Sequence, residues 1–217
     1  MRDCAATLQP EMTSEEHALL LSVLNHPVRS GQHLEIGTAA GGTLCAMLQA
    51  FRATERPRFV VVDPMTYFPH QLDAVVRNLR EHQLDPYSID FRVATSREAF
   101  REAWVRQETF DFILVDGCHK ILSVIEDLKW LRLLNVGGAV CFHDYTPKHR
   151  GVWLAVNRLL DGWNNYERID QAGTLLALRK TAPSVRPEVT AIDRWYARAW
   201  YVPLQIERKW RKYRRAA

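Results

Sequence analysis

Glycines at 37 and 41, carboxylates at 35, 63, 116 and 144, and histidines at 119 and 143 are the residues of this 217-residue chain whose types and spacing fit chemistry. The run His33-Leu34-Glu35-Ile36-Gly37-Thr38-Ala39-Ala40-Gly41-Gly42-Thr43 reads as an apolar strand turning sharply into a helix. Glycines at such a turn let backbone approach a ligand, and a helix beginning near Gly42 offers unpaired N–H groups. Gly37 and Gly41 stand four apart, with no glycine at position 39 and no following Walker lysine. The loop therefore matches neither the dinucleotide fingerprint nor a P-loop. It suits a nucleoside-like ligand carrying little or no phosphate. Glu35, just before the turn, orients the loop, faces a cationic group of the ligand, or is structural.

Asp63 ends a second apolar run, Arg58-Phe59-Val60-Val61-Val62. A carboxylate there presents two acceptors, which is what a ribose diol requires. Asp116, His143 and Asp144 end two later apolar runs. Placed together at the carboxyl edge of a sheet, their donors suit a divalent ion, Mg²⁺ or Mn²⁺, with the imidazole favouring the latter. Such an ion would bind an acceptor hydroxyl and lower its pKa. The alternative is a metal-free site in which Asp116 orients the ligand and His143 is the base. His119, three residues past Asp116, is a further candidate base, since imidazole titrates near neutral pH. Tyr145 and His149 follow as weaker cleft candidates, and Glu126 and Asp127 read as solvated or structural. Trp104, Trp130, Trp153 and Trp163 read as core.

These residues require an alternating scaffold. Thr13-Ser14-Glu15-Glu16 opens a capped helix that ends before Pro27. Strands are predicted at about 32–37, 58–63, 88–93, 110–116 and 138–143, with helices at about 42–53, 69–83, 96–107, 120–134 and 150–161 between and after them. Two closing strands, about 164–170 and 174–179, flank Ala172-Gly173 with no helix between, so they pair as an antiparallel hairpin. The fold class is α/β: a doubly wound, Rossmann-like seven-stranded sheet with its last strand antiparallel, an N-terminal helix and a basic helical tail.

The Glu35-Ile36-Gly37-x-x-x-Gly41 loop, the acids ending strands 2 and 4, and the final hairpin resemble class I S-adenosylmethionine-dependent methyltransferases over roughly residues 14–180. Asp116-Gly117-Cys118-His119, Glu126-Asp127-Leu128, Gly137-Gly138 and His143-Asp144-Tyr145 follow in order. That order is similar to the small-molecule O-methyltransferase branch that includes macrocin-type sugar O-methyltransferases. Its pattern is D-G-x-H-x-Y, a D-L helix, G-G and D-D-Y. Two positions depart from the pattern: Ile121 stands where tyrosine is expected, and His143 replaces the first acid of D-D-Y.

The resemblance implies S-adenosylmethionine held by Glu35, Gly37, Thr38, Gly41, Asp63 and Asp116, with adenine near Thr95 and Ser96. Those two residues read equally as the N-cap of the helix that follows. It also implies catalytic roles for Asp116, His119 and His143, and a metal at Asp116, His143 and Asp144. The acceptor is then a hydroxyl of a small molecule, a sugar or glycan precursor by analogy. The alternatives are a catalytically degenerate binding protein on the same fold and, less favoured, a nucleic-acid methyltransferase.

Charge divides the chain. Residues 189–217 hold eight Lys/Arg against Asp193 and Glu207, a net +6, whereas the whole chain is +4, leaving 1–188 near −2. An acidic body argues against a nucleic-acid partner. Domains are expected at 1–180 (methyltransferase) and 181–217 (basic, aromatic-rich extension), joined by Thr181-Ala182-Pro183-Ser184. The tail reads as a helix broken at Pro203 followed by a short basic helix. Its alternation of Trp/Tyr with Arg/Lys leaves three readings open: peripheral membrane contact, packing on the fold or on a partner subunit, and nucleic-acid contact. The four cysteines show no metal spacing, and no signal peptide or membrane-spanning run is evident, so a cytoplasmic location, with membrane association through the tail, is expected. Oligomeric state stays open, a homo-oligomer included.

Overall fold

The computed structural model describes residues 12–24 and 31–216. Its elements alternate from the start. α1 (Ser14–Leu24) precedes β1 (Gln32–Ile36), α2 (Gly42–Gln49), β2 (Phe59–Val62), α3 (Gln71–Glu81) and β3 (Ile89–Arg92). The second half runs α4 (Ser96–Val105), β4 (Phe110–Val115), α5 (Ile121–Asp127), β5 (Leu134–Phe142), α6 (Arg150–Gly162), β6 (Tyr166–Ala172), β7 (Leu175–Lys180) and α7 (Ala191–Ala216). The seven strands form one sheet in the order β3-β2-β1-β4-β5-β7-β6. Strands β1 to β5 are parallel, and β7 runs antiparallel to both β5 and β6. The order reverses between β1 and β4, which opens a crevice at their carboxyl ends.

Side-chain alternation along the strands divides the core into two layers. Leu34, Ile36, Val60, Val62, Ile113 and Val115 face α4, α5, α6 and α7. Phe59, Val61, Phe112, Leu114 and Cys141 face α1, α2 and α3. Full burial of such side chains contributes about 1.5–3 kcal/mol each relative to exposure. His33 lies in the second layer, edge-on to Phe51 and Phe59. Burial pushes its pKa down to about 4, so it is a neutral core residue. Cys45 and Cys141 are buried free thiols, as expected, and Cys118 is exposed.

Three sequence expectations need correction. The helix predicted over 120–134 ends at Asp127, continues as a tight 3-10 turn over Leu128–Arg132, and gives way to β5 four residues early. There the buried Lys180 ammonium donates to the carbonyls of Leu131 (2.7 Å) and Leu134 (2.9 Å), tying that segment to β7. Trp104 is 49% exposed rather than core, unlike Trp130, which is fully buried. The tail does not break at Pro203; α7 is a single helix of 26 residues. Proline removes one N–H there, but Pro203 and Ala199, whose carbonyl loses its partner, both lie on the solvent side. Packing of Tyr196, Ala197, Trp200, Tyr201 and Leu204 on the body spans the break point.

Gly151, at the start of α6, carries the segment that ends β4 against α6. A Cβ at Gly151 would overlap the carbonyl oxygen of His119 and lie 2.9 Å from the Ile121 nitrogen. Gly151→Ala is therefore expected to cost about 1–3 kcal/mol by overpacking. At about 2–4 °C per kcal/mol for a chain of this size, thermal unfolding reads it directly.

Candidate active site

The loop leaving β1 is held by backbone conformation and by three side chains. Gly37 and Gly41 adopt φ of 85° and 87°. A Cβ on Gly37 would collide with the backbone of Asp116 and Gly117, so glycine is required where the β1 and β4 ends converge. Asp63, at the end of β2, takes the Thr38 N–H on Oδ2 (3.0 Å) and the Met65 N–H on Oδ1 (2.6 Å). From α3, Gln71 donates to the Ala39 carbonyl (3.1 Å) and Asn78 to the Ala40 carbonyl (2.8 Å). The loop is thus clamped on one side and open at the carboxyl edge, with α2 beginning directly behind Gly41.

Beneath the loop lies Glu35, 1% exposed. Burial, with the nearby charges of Asp116 and Asp63, pushes its pKa up to about 8, so the isolated protein holds it neutral at pH 7. The Thr38 side chain lies against the Glu35 carboxyl and partly offsets that shift.

Across the crevice, carboxylates and imidazoles alternate. Glu16 of α1 accepts from the N–H and hydroxyl of Thr174 (2.7 and 2.8 Å) and lies 3.7 Å from His143 Nε2. The other ring nitrogen of His143 lies 3.0 Å from Asp116 Oδ1 and 3.7 Å from Asp144 Oδ2. Burial alone would lower the His143 pKa, but Asp116, Asp144 and Glu16 outweigh it and raise it to about 9. Burial also lifts Asp116, so this pair retains a proton at neutral pH. Asp144 then reaches His119, Oδ2 to Nε2 at 2.7 Å, and lies 3.5 Å from His149 Nε2. The two histidines meet edge to face with Nδ1 atoms 3.2 Å apart. The hydrogen bond to Asp144 raises the His119 pKa above its usual value, and burial lowers that of His149. Asp144 itself stands at φ 58°, a left-handed conformation that aspartate tolerates better than most residues.

Among the described residues, two groups could hold a metal ion: Asp116, His143 and Asp144, and His119, Asp144 and His149, each with ligand atoms within 4.8 Å of one another. The first fits a divalent ion on chemical grounds. It offers one nitrogen and two oxygens, and Glu16 stands behind the imidazole as an outer carboxylate.

Most of the residues singled out from sequence converge here: Glu35, Gly37, Thr38, Gly41, Asp63, Asp116, His119, His143 and Asp144. Thr95 and Ser96 behave otherwise. Thr95 caps α4 in a reciprocal box with Glu98, and the Ser96 hydroxyl accepts from Trp130 Nε1 (2.9 Å). Asp127 is buried, which raises its pKa to about 7. The Tyr145 hydroxyl donates to Asn157 (2.9 Å). Sequence reasoning missed Glu16, Gln71 and Asn78 as site residues. Gln71 and Asn78 left one signal, polar amides on the same helical face as Ala74, Val75 and Leu79. Glu16 looked like an ordinary capping residue, and it does accept from Thr13 N–H (2.8 Å).

The family of methyltransferase domains matches residues 34–145, from β1 through the Asp144-Tyr145 pair. The chain belongs to this family and is an S-adenosylmethionine-dependent methyltransferase of Rossmann-like fold. No curated protein sequence matches it. Among solved structures it resembles a Corynebacterium glutamicum protein (15% identity, TM-score 0.61, 82% of this chain and 85% of that one). It also resembles CalS11, a TDP-rhamnose 3'-O-methyltransferase of calicheamicin biosynthesis (20% identity, TM-score 0.60, 76% of each chain). A third likeness is the O-methyltransferase TomG of Streptomyces achromogenes in complex with SAM (17% identity, TM-score 0.54, 77% and 78%). At these identities the likenesses speak to fold.

Glu35 makes the stability of the ligand-free protein depend on pH. Its folded pKa of about 8 lies above the ordinary value of 4.5, so its favourable contribution is full below pH 4.5 and is lost as pH rises through 8. Glu35→Gln keeps the shape without the charge. Its urea midpoint is expected to fall less than that of the unchanged protein between pH 5 and 9; equal declines would place the buried charge elsewhere.

Proposed function

We propose that this methyltransferase methylates a hydroxyl group of a small molecule, with a sugar or glycan precursor as the acceptor class. The carrying observation is the pair His119 Nε2 to Asp144 Oδ2 at 2.7 Å, at the carboxyl edge beside the glycine loop. A base oriented by a carboxylate is the arrangement that O-methylation needs. The order of motifs around Asp116, His119 and Asp144 supports the sugar-acting branch, as does the likeness to a TDP-rhamnose 3'-O-methyltransferase.

S-adenosylmethionine supplies an electrophilic methyl on a sulfonium, which leaves as a neutral thioether. In this reading the loop from Gly37 to Gly41 receives the methionine and ribose portions, with the Thr38 hydroxyl and Glu35 beneath them. Each Asp63 oxygen keeps a second lone pair beyond its bond to Thr38 or Met65, available to the ribose hydroxyls. Thr95 and Ser96 border the adenine through backbone rather than through their hydroxyls, which are engaged elsewhere. With Nε2–H donated to Asp144, His119 presents an unprotonated Nδ1 that takes the acceptor's hydroxyl proton and shares it with His149. The acceptor oxygen is aligned with the methyl for in-line displacement.

Asp116, His143 and Asp144 would hold a divalent ion, Mg²⁺ or Mn²⁺, which supplies Lewis acidity to the acceptor hydroxyl. One observation favours a second, metal-free reading. Both ring nitrogens of His143 already face carboxylates, Asp116 and Glu16, so a protonated imidazole fills the place of a cation.

Calorimetry is expected to give one S-adenosylmethionine per chain, weakened roughly 10–100-fold by Asp63→Ala, the worth of one or two charge-assisted hydrogen bonds. No binding in any condition would sink the assignment. Against hydroxylated sugars, His119→Ala is expected to lower kcat by roughly 10²–10⁴ while leaving S-adenosylmethionine affinity intact. Chelator should abolish turnover under the metal reading, and Asp144→Ala should weaken Mn²⁺ binding. Turnover that persists in chelator selects the metal-free site.

A further inference from the structure

The acids of α7 are turned inward. Asp193 caps the helix through Thr190 and pairs with Arg158 of α6 (3.0 Å). Glu207 pairs with Arg150 at the start of α6 (2.8 Å). Tyr196, Ala197, Trp200 and Leu204 share that inner face, and Arg150 and Arg158 also cover the rings of Trp200 and Tyr196. The reading that the tail packs on the fold is therefore met on one face.

The opposite face is different. At 100° per residue, Ile192, Trp195, Val202, Ile206 and Trp210 fall within a sector of about 80°. All five are more than half exposed, with Trp195 at 68% and Trp210 at 63%. Arg194, Arg198 and Lys209, all exposed, line one edge of that stripe, and Arg198 lies over the Trp195 ring (5.5 Å). Asp193 is turned to α6, and Glu207, past the other edge of the stripe, is held by Arg150. The outward surface is apolar at its centre and cationic along the Arg194, Arg198 and Lys209 border.

We propose that this face of α7 docks on an anionic lipid bilayer surface. Tryptophan suits the headgroup level, and arginine and lysine meet anionic headgroups. A second copy of the chain fits less well: stripes set against each other would bring the Arg194, Arg198 and Lys209 rows together, while the two acids of each helix are already engaged by Arg158 and Arg150. Among the described residues no helix is long and apolar enough to cross a membrane, so the contact is peripheral. The direction of α7 adds a consequence. It runs from Asp193, paired near the far end of α6, to Glu207, paired with Arg150 next to His149, and so ends at the catalytic edge. A bilayer bound along α7 would lie beside the mouth of the crevice.

Sedimentation of the full chain with phosphatidylcholine vesicles, with and without roughly 30% phosphatidylglycerol, tests the proposal in the absence of S-adenosylmethionine and acceptor. It therefore stands or falls apart from the catalytic reading. Expected are binding at least about tenfold stronger to the anionic vesicles, weakening with salt, and a blue shift of tryptophan emission. The double variant W195E/I206E, whose side chains lie outside the core, should abolish binding while its thermal unfolding stays unchanged. R194E/R198E should weaken binding to anionic vesicles alone. Absence of binding to anionic vesicles would overturn the proposal, as would binding indifferent to W195E/I206E. So would a stripe-dependent dimer, or stripe-dependent binding of an RNA oligonucleotide, in place of vesicle binding.

Discussion

The convergence of the β1 and β4 ends over Gly37 sets the geometry on which the remaining site depends. With no Cβ at that position, the backbone of Asp116 and Gly117 lies directly against the glycine loop, and Asp116 N–H donates to the Ile36 carbonyl at 2.9 Å. One contact therefore fixes the distance between the glycine loop and the row of acids and imidazoles beyond it. A methyl transfer tolerates little error in that distance, because reacting atoms must be held in line. The clamp from Asp63, Gln71 and Asn78 and the α6 contact at Gly151 hold the two sides of this junction in place.

Electrostatics in the crevice follow from how few cations it contains. Glu35, Asp116, Asp144 and Glu16 come together where burial disfavours their charge. The molecule manages this by neutralising some and pairing others. Glu35 holds its proton, Glu16 is kept ionised by the N–H groups of Thr13 and Thr174, and Asp144 is kept ionised by His119 with help from His143 and His149. His143, standing where the resembling family has an acid, adds a positive charge among three carboxylates.

The last helix shows the same economy of charge at the surface. Its two acids are spent on α6. Intact helix through Pro203 is paid for by packing on both sides of it, which a propensity argument at one residue does not see.

Alternation of apolar runs, Gly-containing turns and capping residues made the doubly wound sheet and its closing hairpin readable from sequence, because periodicity reports local geometry. The positions of Gly37, Gly41, Asp63, Asp116, His119 and Asp144 were readable for the same reason: each ends a strand or lies in the loop just after one, and strand ends of a parallel sheet meet at one edge. Pairings between distant segments were not. Glu16 lies 127 positions from His143, and Thr95 and Ser96 were equally good as caps or as ligand contacts until α4 and Trp130 engaged their hydroxyls. By itself the sequence determined the order of elements and which residues arrive at the carboxyl edge of the sheet. Tertiary structure alone decided which of them touch, which keep a proton, and which face of α7 meets water, since those depend on burial and on groups brought from far along the chain.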